Sequence, residues 1–144
     1  MKSQLNPQKY KSGRKRKSPL TLAKEKADKA LQEWGRRTFK KCEVCGGKYS
    51  CLHHYFPKST STALRYNPSN LIPICQGCHF SHHNGNPIPH NVINEKRGEE
   101  WKQYLYKKKN EIIKANIEWY NWYKAQYESN DIQSNLRPRH IETL

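Results

Sequence analysis

No apolar run in the 144 residues approaches the ~18 needed to cross a membrane, and the first thirty residues hold no apolar segment of signal-peptide type. The chain is therefore expected to be soluble, unsecreted and cytoplasmic, with no membrane partner. Acidic side chains are scarce, 12 against 27 lysines and arginines, which leaves a formal charge of +15. Such a surplus implies a polyanionic partner. Phospholipid fits poorly, because the basic stretch lacks the aliphatic and aromatic face of an interfacial helix, and nucleic acid is preferred. Aromatics fall mostly at helical spacing rather than along a strand, which favours DNA over RNA. Hydrophobic residues make up only 34% of the chain, so the core is small and a staple is expected.

The charge is uneven: residues 1–41 carry 14 lysines and arginines against Glu25, Asp28 and Glu33. Residues 1–18 are too polar to bury a core and read as a disordered basic arm. Ser18-Pro19 is a helix start, and Leu20, Ala23, Ala27, Leu31 and Trp34 then recur at helical spacing, giving a basic amphipathic helix over 19–38. Lys15, Arg16, Lys17, Arg36, Arg37, Lys58 and Arg65 are the candidate phosphate contacts.

From Phe39 to Phe56 the pattern is short and extended, and it reads as a β-hairpin with a cysteine knuckle at Cys42–Cys45 and a returning strand from Tyr49. Residues 57–70 read as a long loop. A short helix is expected from Cys78 to about His83, stopped by Asn84-Gly85-Asn86-Pro87. A core domain over 39–95 is then followed by a helical region over 96–129, broken near Asn110, and a tail over 130–144.

Four of the five cysteines form two C-x-x-C pairs, Cys42/Cys45 and Cys75/Cys78. With no secretory signal, that spacing favours metal over disulfides. Four thiolates suit tetrahedral zinc and leave no open position, so the expected Zn²⁺ is structural. Cys51 is expected to be a small core residue.

The histidines make a second group. His79 and His83 are four apart on the expected short helix and can reach one cation, with His53 from the strand as a third ligand. His82 rivals His83 for that place. Neighbours on a strand point to opposite faces, so if His53 faces the metal, His54 is free to act as a base.

Cys42-x-x-Cys45, Leu52-His53-His54, Asn70-Leu71, Cys75-x-x-Cys78-His79 and His83 together resemble the zinc-bearing branch of the His-Asn-His (HNH) endonucleases. The resemblance covers about residues 40–84. It implies an α+β fold with a ββα-metal core, here stapled by the four-cysteine zinc and flanked by N- and C-terminal helices. It also implies hydrolysis of DNA phosphodiester bonds, with His54 as general base and His53, His79 and His83 holding a catalytic divalent metal, Mg²⁺, Mn²⁺ or another. Asn70 would be the middle residue of the motif, whose hydrogen bonds pin the loop and aim the base.

A wider resemblance runs through His54-Tyr-Phe-Pro-Lys-Ser, Ala63-Leu-Arg65-Tyr66, Asn70, Cys75-x-x-Cys78, Gly85-Asn86 and Gly98-Glu-Glu to the phage NinG/Rap recombination proteins, which act on branched DNA. It implies a phage or mobile-element setting in a bacterial host cell, with packaging or recombination partners. Cys78-His79 stands where that group has Cys-Asn, and His53 where it has a residue such as Gly, which brings the chain nearer the ordinary HNH set. The competing readings are a zinc-stapled DNA-binding or recombination accessory protein, a branched-DNA nuclease, and a nuclease acting on RNA.

Overall fold

The computed structural model describes residues 13–129, so most of the expected basic arm and the tail over 130–144 lie outside the described residues. The element order is α1 (Pro19–Thr38), β1 (Cys51–His54), β2 (Leu71–Ile74), α2 (Gln76–His83), α3 (Ile88–Lys109) and α4 (Ile117–Glu128). Among the described residues the fold is α+β: four helices around a two-stranded antiparallel sheet. Among the described residues no helix is long and apolar enough to cross a membrane.

α1 begins where the sequence signals it. The Ser18 hydroxyl accepts the Thr21 N–H at 3.2 Å, satisfying one of the unpaired donors at the helix start, and Pro19 follows at the first helical position. The buried stripe is Ala23, Ala27, Ala30 and Leu31. These small side chains let α4 pack closely on α1, with Tyr120 and Tyr127 buried between them and Trp34 set edge-on to Tyr127. Gly35 does the same for the sheet: a Cβ there would lie 2.7 Å from Leu52, so only glycine lets the end of α1 rest on β1. Of the C-terminal aromatics, Trp101, Tyr120 and Tyr127 are buried and Trp119 and Tyr123 pack on the core, while Tyr104, Tyr106 and Trp122 are exposed.

The expected hairpin is corrected by the structure. Only an isolated bridge, Lys41 to Lys48, joins the knuckle to its return, and β1 instead pairs with β2, His53 opposite Ile72 and His54 opposite Leu71. The physical reason is burial on both faces. All four residues of β2 are buried, and alternation sends Leu71 with Leu52 into the α1/α4 core and Ile72 into a second core of Leu64, Ile93, Trp101 and Leu105. Before the knuckle only Phe39 turns into the α1/α4 core, and Lys40 and Lys41 offer β1 nothing for the other face.

α2 starts two residues earlier than expected because Cys75 is its N-cap, its sulfur accepting the Cys78 N–H at 3.3 Å. The Asn84 to Pro87 stop turns the chain into α3. That helix is kinked at Gly98, whose φ of 84° is left-handed and suits glycine. The expected boundary between residues 95 and 96 falls inside α3, just before this kink. Beside it Arg97 is tied down: it pairs with Glu43 at 2.6 Å, both side chains under a tenth exposed, and donates to the Ser69 and Leu71 carbonyls. α3 is thereby locked to the cysteine knuckle and to β2. The chain breaks between Lys109 and Ile117, close to the expected Asn110, and restarts with Asn116 capping the Trp119 N–H.

Candidate metal centre and histidine site

The four cysteines of the two pairs converge, their sulfurs all lying within 4.8 Å of one another, although Cys42 and Cys75 are 33 positions apart in sequence. A tetrahedral ion at Zn–S of about 2.3 Å would set sulfurs about 3.8 Å apart. Cys45 Sγ and Cys75 Sγ are 3.7 Å apart, which fits an ion and is far beyond an S–S bond of about 2.05 Å. The knuckles also supply N–H donors to sulfur, Gly47 to Cys45 and Cys78 to Cys75. The bond from Cys78 pulls the Cys75 thiol down to about 7, nearer the thiolate a metal needs. The cluster can hold a metal such as zinc.

Five histidines gather between β1, α2 and the start of α3. His53, His79 and His83 bring one ring nitrogen each within 4.8 Å of the others, and so do His53, His82 and His90. The i, i+4 pair on α2 is close: His79 Nε2 and His83 Nε2 are 2.9 Å apart. Two imidazole nitrogens bound to one ion at about 2.1 Å would be about 3.0 Å apart at a right angle and about 3.4 Å at the tetrahedral angle, so this hydrogen-bonded pair needs little movement to share an ion. Burial first, and neighbouring histidine charges second, lower His53 to about 3, and burial and His82 lower His90 to about 4. Burial lowers His79 and His82 as well. Neutral rings are what metal ligation requires.

His54 is not part of either convergent set, as strand alternation expects. Its Nε2 lies 2.8 Å from the Arg65 carbonyl. A carbonyl can only accept, so Nε2 carries the proton and Nδ1 keeps its lone pair. Burial, only partly opposed by that hydrogen bond and reinforced by Lys58, lowers His54 to about 4. The ring is neutral at pH 7 and held in one tautomer.

No protein-family model and no solved structure matches the chain. Over 46 residues, 29% of the chain, it is 41% identical to a mitochondrial DNA mismatch repair protein mutS homolog of Sarcophyton glaucum. The matched stretch spans 5% of that relative's length.

Asn70 is fully buried in the turn before β2. Its side-chain oxygen accepts the Phe56 N–H, and its NH₂ donates to the Phe56 and Leu64 carbonyls. These bonds close the 57–70 loop over the end of β1, beside His54. Asn70→Ala should leave buried backbone groups unpaired, each costing about 1–3 kcal/mol. A clearly lowered urea midpoint at unchanged metal content is the expected result; a midpoint equal to wild type would remove the pin.

The basic candidates separate. Arg65, expected at a nucleic-acid surface, is corrected: it is 7% exposed, bonded through Nε and Nη2 to Asp28 on α1, with the Tyr66 hydroxyl on the same carboxylate. A charge 37 positions away has drawn it inside, where it fixes the backbone whose carbonyl orients His54. Arg37 is exposed but donates to the Tyr127 carbonyl at the end of α4. Lys17 pairs with Glu25 on the surface. Lys15, Arg16 and Arg36 are exposed, and Lys58 is half-exposed, 3.8 Å from Asp28.

Two residues of the site are missed by sequence reasoning. His90 lies beyond a helix stop, and no local spacing ties it to His82 or His53. Cys51, read as a plain core residue, is only half-buried and places its sulfur 3.5 Å from His79 Nδ1, where it helps set that ring.

Proposed function

We propose that the protein is a metal-dependent DNA endonuclease of the HNH type, with a structural zinc in its four-cysteine cluster. The observation that carries the reading is His54: a neutral imidazole with Nε2–H fixed on a backbone carbonyl and a free Nδ1, on the strand residue next to the histidine cluster. Such a ring can take a proton from water near neutral pH.

His53, His79 and His83 would hold the catalytic divalent ion, which when bound neutralises charge on the scissile phosphate and on the departing oxygen. The all-imidazole donor set suits a first-row transition ion such as Mn²⁺, Co²⁺, Ni²⁺ or Zn²⁺ better than Mg²⁺. His54 Nδ1 would accept the proton of the attacking water. Asn70 and the Asp28–Arg65 pair act as positioning residues, holding the loop and carbonyl that aim it. Lys58, close enough to disfavour a proton on His54, is placed to meet a phosphate beside the base.

DNA as substrate rests on the +15 charge and on the match to a protein named for DNA mismatch repair. A zinc-stapled binding protein without turnover would leave the fixed tautomer of His54 without a role. The test is nicking of supercoiled plasmid with Mn²⁺, Mg²⁺ or EDTA, with a four-way junction and single-stranded RNA run beside it. Metal-dependent, EDTA-sensitive nicking is expected. Binding without cleavage under every metal would support the accessory reading instead, and preferential junction or RNA cleavage would reassign the substrate.

A further inference from the structure

The histidine cluster holds more rings than a single three-ligand site explains. His53 is shared by two sets, one completed by His79 and His83 on α2, the other by His82 on α2 and His90 on α3. In the second set His90 is the anchored member. The His90 ring is sandwiched, stacked on Tyr55 at 4.4 Å and on His82 at 4.0 Å, with interplanar angles of 17° and 13°. Tyr55 is itself anchored by its hydroxyl bond to Asn94 at 2.6 Å. His53 Nε2 and His90 Nε2 stand 3.0 Å apart, within hydrogen-bond reach and a few tenths of an ångström inside the roughly 3.4 Å that two nitrogens keep on one tetrahedral ion. Stacking on Tyr55 holds His90 in place, whereas His82, lying parallel to it, has to swing so that its in-plane lone pair meets an ion shared with His53 and His90.

We propose that His53, His82 and His90 form a second metal site, alternative to the His53, His79 and His83 set, which takes a late first-row divalent ion such as Zn²⁺ and thereby withdraws His53 from the first set. A neutral imidazole has one free lone pair, so His53 serves one ion at a time. Three imidazoles with no carboxylate select Zn²⁺, Co²⁺ or Ni²⁺ over Mg²⁺. An ion there joins α2 to α3 across the Asn84–Pro87 turn. The consequence for activity, inhibition by excess Zn²⁺, rests on the endonuclease reading; the site itself does not.

The probe is Co²⁺, added to the full chain with its four-cysteine site already zinc-loaded. Bound Co²⁺ is counted by equilibrium dialysis with mass spectrometry, and visible d–d bands without a thiolate charge-transfer band mark histidine ligation. His79→Gln breaks only the first set and His90→Gln only the second. Each single variant is expected to bind one Co²⁺ within about tenfold of wild-type affinity, since one three-imidazole set survives in each. The double variant should lose binding by more than tenfold.

Loss of Co²⁺ in His79→Gln alone, retention in the double variant, or two histidine-bound Co²⁺ in wild type would each overturn the proposal. Loss in His90→Gln alone leaves the second site standing and removes the first, and with it the catalytic-metal assignment. Thermal unfolding and retained zinc check the fold, and His82→Gln tests the same site if His90→Gln does not fold. In plasmid nicking with Mn²⁺, His90→Gln should need at least tenfold more added Zn²⁺ for inhibition than wild type. Equal sensitivity would overturn the inhibitory role. A protein that nicks nothing leaves the Co²⁺ counts to decide the site alone.

Discussion

Replacing His54 by alanine is expected to slow DNA cleavage by about 10²–10⁴-fold, the range a general base contributes, while zinc content and DNA affinity stay close to wild type and stability falls only by the lost bond to the Arg65 carbonyl, about 1–3 kcal/mol. The reason is that the ring acts mainly in the transition state. Its Nδ1 is the atom left unprotonated by the bond from Nε2 to the Arg65 carbonyl, and among the described residues no convergent ligand set includes it. His79→Ala should also stop cleavage, by a different route: it removes one nitrogen of the 2.9 Å pair with His83. Titration with Mn²⁺ in a His90→Gln background, where only the first set remains, separates the two: His54→Ala keeps its metal affinity and His79→Ala loses it. The pH profile gives a second check. A base lowered to about 4 stays deprotonated as pH falls through the ordinary histidine value of 6.5, so the acid limb of kcat/KM should lie below 6.5 and move toward 4. His54→Ala cutting at near wild-type rate at neutral pH would discard the assignment, and His82 would be tested next.

Cys42→Ser is expected to unfold the domain rather than merely slow it. Cys42 is 2% exposed and sits where the knuckle is bound to β2 through Glu43 N–H and the Pro73 carbonyl, so its sulfur joins the N-terminal half of the domain to α2. Structural zinc contributes about 10–16 kcal/mol in peptides that fold around it, comparable to the whole stability of a small domain, and losing one thiolate of four forfeits much of that. The core here is divided into two modest clusters on either side of a two-stranded sheet, neither large enough to offset the loss. Zinc measured by mass spectrometry should fall from about one ion per chain to near none, with thermal unfolding at far lower temperature. Cys51→Ser, outside the four-sulfur set, should keep its zinc. Cooperative folding of a zinc-free protein would refute the staple.

The sequence by itself determined what neighbouring residues encode. The Ser18-Pro19 start, the alanine stripe of α1, the two cysteine pairs, the i, i+4 histidines of α2 and the Asn84–Pro87 stop all act within one or two turns of chain, and each is legible along it. So is the opposition of His53 and His54, which follows from the pleat alone. Tertiary structure decided the pairings that span long stretches of chain. β1 chose β2 over the nearer knuckle because only β2 offers apolar residues to both faces. Arg65 reads as a surface charge until Asp28 is folded against it, and its burial then turns a candidate phosphate contact into the support of the His54 carbonyl. His90 joins the histidines only once the turn at Gly85 folds α3 back against α2, since a position eight residues past His82 and beyond a helix stop has no fixed direction in sequence. Local hydrogen bonds and side-chain periodicity are short-ranged and can be read along the chain, whereas burial depends on which distant surfaces meet.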